Sequence, residues 1–560
     1  MNSPAPVRII DRITPLVITY NEAPNIARTL DRLTWAKRIV VIDSGSTDET
    51  LNIIRSFPQA QAIHRKFDDR ASQWNFGNNQ VQSEWVLSLD ADYELSEELV
   101  AELAHLDPDE SVSGYHARFV YRVFGRPLRG SLYPSRIVLY RKDRTFYRNE
   151  GHIQRPIVTG DVQTLSGVIY HDDRKPLGRW LASRRRYAKE EATYLLQSDR
   201  KSFGLTERLR ILGWPAPLVV LIYTLFFKGC VLEGWQGWYY ALQRLVAEIF
   251  LALEIIDRRF RGDVSIMKRL PDSPTTSEMI DAITPLVITL DEAPNIARTL
   301  DKLTWARRIV VVDSGSVDGT IEILKRYPQV DRFDRPFDSF AEQCNFGLAQ
   351  VQTEWVLSLD ADYELSDDLV RELAELKPQT AAGFRASFVY RIDGRSLRGT
   401  IYPPRIVLYR VRGASYRNEG HGHRITLDGE VRDLGGVIYH DDRKPLSRWL
   451  ASQQRYAEME ANHLLAAAPG SLSLSGRLRR MAWPAPILVF PYVLIAKRCV
   501  LDGWHGWYYS LQRLVWEILI ALNIIDQKLR RSPHSCCVAA RGARAAASDA
   551  SNRVRENYDA

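Results

Sequence analysis

Residues 13–50 read ITPLVITYNEAPNIARTLDRLTWAKRIVVIDSGSTDET, and residues 283–320 read ITPLVITLDEAPNIARTLDKLTWARRIVVVDSGSVDGT. In each, a short β-branched run, a stretch with helical spacing from Pro24 to Leu33 and a second apolar run ending at Asp43 follow one another. That succession predicts strand, helix, strand, with the two strands parallel because a crossover joins them. The pattern continues with a helix over 47–56, a short strand over 61–64, a helix over 70–81 and a third apolar run, EWVLSLD, over 84–90. Continuous buried runs alternating with helices predict an α/β fold with a doubly wound, mostly parallel, Rossmann-like sheet.

The near-identity is a duplication of a whole domain. An offset of 270 residues maps one copy on the other, and a single deletion between Leu106 and Gly114 lowers it to 269. The first copy is expected over 1–262, with a core over 13–115, an acceptor part over 116–200 and apolar helices over 205–258. A Pro-, Ser- and Thr-rich linker over 263–280 leads to the second copy over 281–530, whose core, acceptor part and helices run over 283–384, 385–470 and 477–528. The Ala-, Ser- and Arg-rich end over 531–560 reads as a disordered tail. In 560 residues, 45% hydrophobic and 26% charged, a net charge of +7 is a mild bias that does not predict nucleic-acid binding. Five cysteines show neither zinc spacing nor a disulfide framework, and the first residues lack a signal peptide's apolar run, so a cytoplasmic location is expected.

In open α/β sheets ligands bind beyond the carboxyl ends of the strands. Three polar sets lie there: Thr19, Tyr20, Asn21 and Glu22 after the first strand, Asp43 to Asp48 after the second, and Asp90-Ala91-Asp92 after the last. Two carboxylates one residue apart at a buried strand end suit a hard divalent cation on phosphate oxygens, although a strand-end turn has the same spelling. The triplet returns with identical flanks, WVLSLDADYELS, as Asp360 and Asp362.

With these residues in order, each half resembles a family 2 glycosyltransferase of the GT-A nucleotide-diphospho-sugar fold, marked by the TxNE strand end, the DSGSTD loop and the DxD triplet. It is more narrowly similar to bacterial lipopolysaccharide-core β-glucosyltransferases, through QWNFGN (73–78), RGSLYPSRIVLYR (129–141), NEGHI (149–153) and FFKGCVLEGWQGWYYAL (226–242). The resemblance implies inverting transfer of a hexose, from a nucleotide-diphospho-sugar that is UDP-linked, to a cell-envelope glycan or glycolipid. It implies Mg²⁺ or Mn²⁺ on Asp92 and Asp362. Donor contacts fall on Thr19, Tyr20, Glu22, Asp43, Asp90 and Arg136, and in the second half on Thr289, Glu292, Asp313, Asp360 and Arg405. The general base falls on Glu150 and Glu419, whose neighbours His152 and His421, like His171 and His440, read as structural or diphosphate-orienting rather than zinc ligands.

Tyr20, suited to stacking on a base, is Leu290 in the second copy, and Asn21 is Asp291. Two sites acting on different donors or in succession are therefore expected, with a half that only binds as the alternative. The closing runs, LGWPAPLVVLIYTLFF and GWQGWYYALQRLVAEIFLALEII, fall short of the ~20 apolar residues that span a bilayer. Their Trp, Tyr and Arg content predicts helices lying on the inner face of the cytoplasmic membrane, with helix packing inside the domain as the alternative.

Overall fold

The computed structural model describes residues 8–150, 153–261, 277–419 and 422–531. The expected linker and tail, and His152 and His421, therefore lie outside the described residues. The chain forms two compact units, one reaching to Ala252 and including the helix end from Ile525, the other running from Leu253 to Ile524.

In the first unit β1 (Ile13–Thr19), β2 (Ile39–Asp43), β3 (Ala60–His64) and β4 (Trp85–Asp90) are joined by α1 (Ile26–Asp31), α2 (Thr50–Arg55) and α3 (Arg70–Gln80). All four strands are parallel neighbours in the order β3-β2-β1-β4. Every residue of β2 is buried, as is each of β4 up to Asp90, and burial on both faces is why these strands read as unbroken apolar runs. α1 and α2 start two and three residues later than their apolar spacing suggested, whereas α3 starts at Arg70 as expected, where the Asp69 carboxylate caps it by accepting the Ser72 N–H.

Beyond β4 the sheet changes direction. β5 (Tyr93–Leu95), α4 (Glu97–His105), β6 (Val112–Val123), the short β7 (Arg126–Pro127), β8 (Arg136–Arg141), a hairpin of β9 (Thr145–Glu150) and β10 (Ile153–Val158), and β11 (Asp161–His171) follow. β8 runs antiparallel to both β4 and β6, giving the full order β3-β2-β1-β4-β8-β6-β11-β5. The sheet is thus half parallel and half mixed. β11 starts exposed and from Thr164 to Tyr170 alternates between buried and more open residues, the pattern of a strand with one face open. The second unit repeats the order with strands from Ile283–Thr289 to Val431–His440.

The closing helices divide in two. α5 (Leu177–Gln197) leads to α6 (Leu205–Leu212), α7 (Pro215–Ile222) with a π-helical turn over Tyr223–Phe227, and α8 (Gly234–Arg261). In α8 Leu242, Leu245, Val246, Ile249, Phe250 and Leu253 are all buried, so this run is an interior helix and not the interfacial one its aromatic content suggested. Among the described residues no single helix is long and apolar enough to cross a membrane; one pair, Pro484–Ala496 with Cys499–Arg530, passes only together and is bent by 65°.

Candidate active site

Register places the polar residues on one rim: Thr19 stands opposite Asp43, and Ile18 opposite Asp90. Asn21 takes a left-handed conformation, φ 55°, which Asn and Asp tolerate better than other side-chain residues. Its Oδ1 accepts the Thr47 N–H at 2.6 Å, tying the first strand end to the second loop. Asp291 has φ 53° and accepts the Val317 N–H at 2.6 Å, so the Asn-to-Asp exchange between copies preserves a backbone device.

Asp43 is buried and spent on its own loop. Its Oδ2 accepts the Gly45 and Ser46 N–H groups at 2.9 Å, and its Oδ1 accepts the Ser46 hydroxyl at 2.5 Å. Gly45 has φ 93°, a conformation glycine supplies without strain. Asp313 repeats all three bonds. Thr19 and Thr289 are buried with hydroxyls that meet no partner, and Tyr20 is 54% exposed on the rim.

The centre is a cluster of charges around Asp92. His171 Nε2, at the end of β11, lies 3.4 Å from Asp92 Oδ2, and Lys175 Nζ lies 3.4 Å from the same oxygen. Lys175 also reaches Glu22 Oε1 at 2.8 Å and Asp173 Oδ1 at 3.3 Å. Burial opposes ionisation of Asp92, but His171 and Lys175 outweigh it and hold the carboxyl far below its ordinary value. Asp90 is pushed the other way, by burial and by the Asp92 charge, with Arg136 opposing. Glu22 is raised to about 7, chiefly by burial. Lys175 is itself held protonated, because Asp92, Asp173 and Glu22 overcome its burial.

Arg136, at the start of β8, sits 4.9 Å over the Tyr133 ring, and the Tyr133 hydroxyl meets that of Tyr93 at 2.5 Å. Behind the cluster, Arg28 pairs with Asp172 at 3.1 Å and with Glu94, and its Nη2 donates to Asn25 Oδ1 at 2.7 Å. The second unit rebuilds the site: His440 Nε2 is 3.2 Å from Asp362 Oδ2, Lys444 Nζ is 2.6 Å from Glu292 Oε1, and Arg405 lies 4.8 Å over Tyr402. Asp360 ends its strand as Asp90 does, opposite Ile288.

Among the described residues, no three His, Cys, Asp or Glu side chains converge as a closed metal cage. The Asp92 Oδ1 is nonetheless buried without a partner, as is His171 Nδ1. An unpaired anionic oxygen in a buried site fits a hard cation whose remaining ligands come from elsewhere. Glu150 and Glu419 stand at the tips of hairpins, opposite Ile153 and Gly422, and their side chains lie outside the described residues. The hairpin tip is fastened to α3, since Asn149 Oδ1 accepts the Ala71 N–H at 3.1 Å.

Sequence reasoning missed Lys175 and Lys444. The signal was the nonapeptide VIYHDDRKP, identical at 168–176 and 437–445, of which only the histidine had been weighed.

Two tandem mixed sheets, each with an acidic triplet ending the strand that flanks the parallel half, define a pair of GT-A-type transferase units. The family model for glycosyl transferase family 2 matches residues 16–170 and 286–425, more than half of the chain, and the chain belongs to that family. It is a glycosyltransferase. An uncharacterized glycosyltransferase of Rickettsia prowazekii is 26% identical over 205 residues, 34% of this chain and 70% of that protein. The lipopolysaccharide core biosynthesis glycosyltransferase LpsC of Rhizobium meliloti is 31% identical over 161 residues, 28% of this chain and 57% of LpsC. The mannosyltransferase PcManGT of Pyrobaculum calidifontis, solved with GDP-Man and Mn²⁺, covers 54% of this chain and 97% of its own at 16% identity, with a TM-score of 0.28.

Proposed function

We propose that each unit transfers a hexose, with inversion, from a UDP-linked donor to a cell-envelope glycan or lipid-linked acceptor of the lipopolysaccharide-core type, at the inner face of the cytoplasmic membrane. The observation that carries this reading is the Asp92 carboxylate, ionised by His171 and Lys175 yet keeping one buried oxygen unpaired. Mg²⁺ or Mn²⁺ would be held by Asp92 and Asp362, where a divalent cation supplies neutralisation of the donor's diphosphate.

The chain's own residues do the rest. Tyr20 presents a ring for the base, and Thr19 offers an unpaired hydroxyl to the donor. Asp43 and Asp313 act on the donor through the loop they shape, since their oxygens already serve that loop. Glu22 and Glu292 act through Lys175 and Lys444, whose ammonium groups they hold at 2.8 and 2.6 Å; Lys175 also lies 3.4 Å from Asp92, and Lys444 is within the electrostatic reach of Asp362, so both can offset negative charge as the diphosphate leaves. Asp90 and Asp360 face the ribose and sugar, each with a guanidinium, Arg136 or Arg405, among its charged neighbours. Glu150 and Glu419 are assigned as bases that remove the acceptor's proton during attack on the anomeric carbon.

A second reading, one catalytic half and one binding half, is favoured by the replacement of Tyr20 by Leu290. Titration calorimetry with UDP-hexoses and Mn²⁺ counts the donor sites, and hexose transfer by Asp92→Ala and by Asp362→Ala separates the two readings. Two donor sites are expected in the wild type and one each in the single variants, with transfer retained by both. Transfer lost in one single variant alone would favour the second reading; Mn²⁺-dependent binding that survives in the double variant would overturn the metal assignment.

A further inference from the structure

The apolar surface of the molecule is not scattered. Of twenty-nine exposed large hydrophobic side chains among the described residues, nineteen fall within 205–232 and 474–504. In the first segment Phe226 is 65% exposed, Phe227 78% and Leu232 88%; in the second Ile495 is 66% exposed and Leu501 56%. Apolar area this concentrated is costly in water and marks a docking surface. The repeat supplies a control. Val219 and Phe226 stand where the second copy has Leu488 and Ile495, so these exposed side chains have changed and stayed apolar, while Gly229 beside them has become Arg498.

The surroundings select the occupant. Lys228 Nζ stands 5.7 Å from the Tyr223 ring and Lys497 Nζ 5.7 Å from the Tyr492 ring, each at the end of the apolar helix. The second segment adds Arg477, Arg480 and Arg498, and its only acid, Asp502, is buried. Tryptophan, tyrosine and cations bordering an exposed aliphatic face match the boundary between acyl chains and anionic headgroups. The dimensions limit the depth. α7 and its π turn together hold 13 residues, about 20 Å of helix against about 30 Å of hydrocarbon, and α8 beyond them is buried.

We propose that residues 214–232 and 483–504 are lipid-docking elements that enter one leaflet of an anionic bilayer without crossing it. This deepens the proposed function, because the same elements are bolted to the acceptor side of each site. The Glu233 carboxylate accepts the Arg129 N–H at 2.7 Å and the Gly130 N–H at 3.4 Å, and the Tyr240 hydroxyl accepts the Leu132 N–H at 2.9 Å. The next residue is Tyr133, which meets Tyr93 directly after the acidic triplet. A side chain on Gly130 would lie 2.0 Å from the Lys228 carbonyl oxygen, so the loop and the docking element touch backbone to backbone. A bilayer seated on the element lies next to the loop that precedes Arg136, as a lipid-linked acceptor requires.

The test is flotation of the full chain with vesicles of phosphatidylcholine alone and of phosphatidylcholine with phosphatidylglycerol. The wild type is expected to float with the anionic vesicles, less so at high salt. Phe226→Glu with Phe227→Glu, and Leu488→Glu with Ile495→Glu, each lower partitioning by roughly tenfold or more while nucleotide binding stays unchanged. Wild-type protein that remains soluble with anionic vesicles overturns the proposal. So does light scattering that shows the wild type self-associating through this face and the variants as single chains, with no vesicle binding in either. Nucleotide titration on the same samples tests the donor reading separately, so that reading can fail while vesicle binding stands.

Discussion

At the scale of single residues, the site is governed by how three carboxylates share one ammonium. Glu22 is raised to about 7, above its ordinary 4.5, so the native state holds a proton that the unfolded chain releases. Stability from this group is full below about 4.5 and is lost as pH rises toward about 7. Glu292 behaves in the same way. The Glu22→Gln, Glu292→Gln variant cannot titrate there, and its melting temperature is expected to fall less than the wild type's between pH 5 and pH 8; parallel curves would refute the assignment. Lys175→Met with Lys444→Met is expected to weaken UDP binding by ten- to hundredfold and UMP binding far less, because a charge-assisted contact to the second phosphate contributes about 1.5–3 kcal/mol. Equal losses for both nucleotides would assign the lysines a structural role only.

At the scale of elements, the parallel half was legible and the mixed half was not. Strands buried on both faces spell unbroken apolar runs, and β1, β2 and β4 were placed to within a residue of their ends. β6, β8 and β11 are partly open, and pairing direction leaves no mark on local sequence, so the antiparallel insertion of β8 had no signal. α8 misled for a related reason: apolar composition does not distinguish a helix buried in protein, as α8 is, from one with an exposed apolar face, as α7 has. In the site, the acidic triplets and strand-end acids were readable because motif and strand end coincide, whereas Lys175 is brought to Asp92 from 83 residues away. Close packing gives a direct test. A methyl group at Gly77 would meet Leu16 Cδ1 at 2.7 Å where α3 lies on β1, and at Gly347 the same group meets Leu286 at 2.4 Å. Gly77→Ala is expected to destabilise the first unit by about 1–3 kcal/mol in chemical denaturation. An unchanged midpoint would mean that α3 shifts freely.

At the scale of the whole molecule, duplication has kept the site and loosened its edges. Each unit has its own buried clusters, one around Val17, Leu87 and Ile169 and another around Val287, Leu357 and Ile438. Asp92→Ala is therefore expected to leave donor binding in the second unit intact, and a loss of both sites in calorimetry would reveal coupling between the copies. The loop that bears Tyr133 is where the copies diverge. Glu233 reaches two amides of that loop, whereas Asp502, one methylene shorter, accepts one, the Arg398 N–H at 3.0 Å, and turns its other oxygen to the Arg398 guanidinium at 3.4 Å. The Gly399 amide consequently lacks the acceptor that Gly130 has, and in deuterated buffer it should take up label sooner. Faster uptake at Gly399 than at Gly130 would mean that this loop opens more readily in the second copy than in the first; equal uptake would mean that the Tyr240 and Tyr509 bonds alone set its opening.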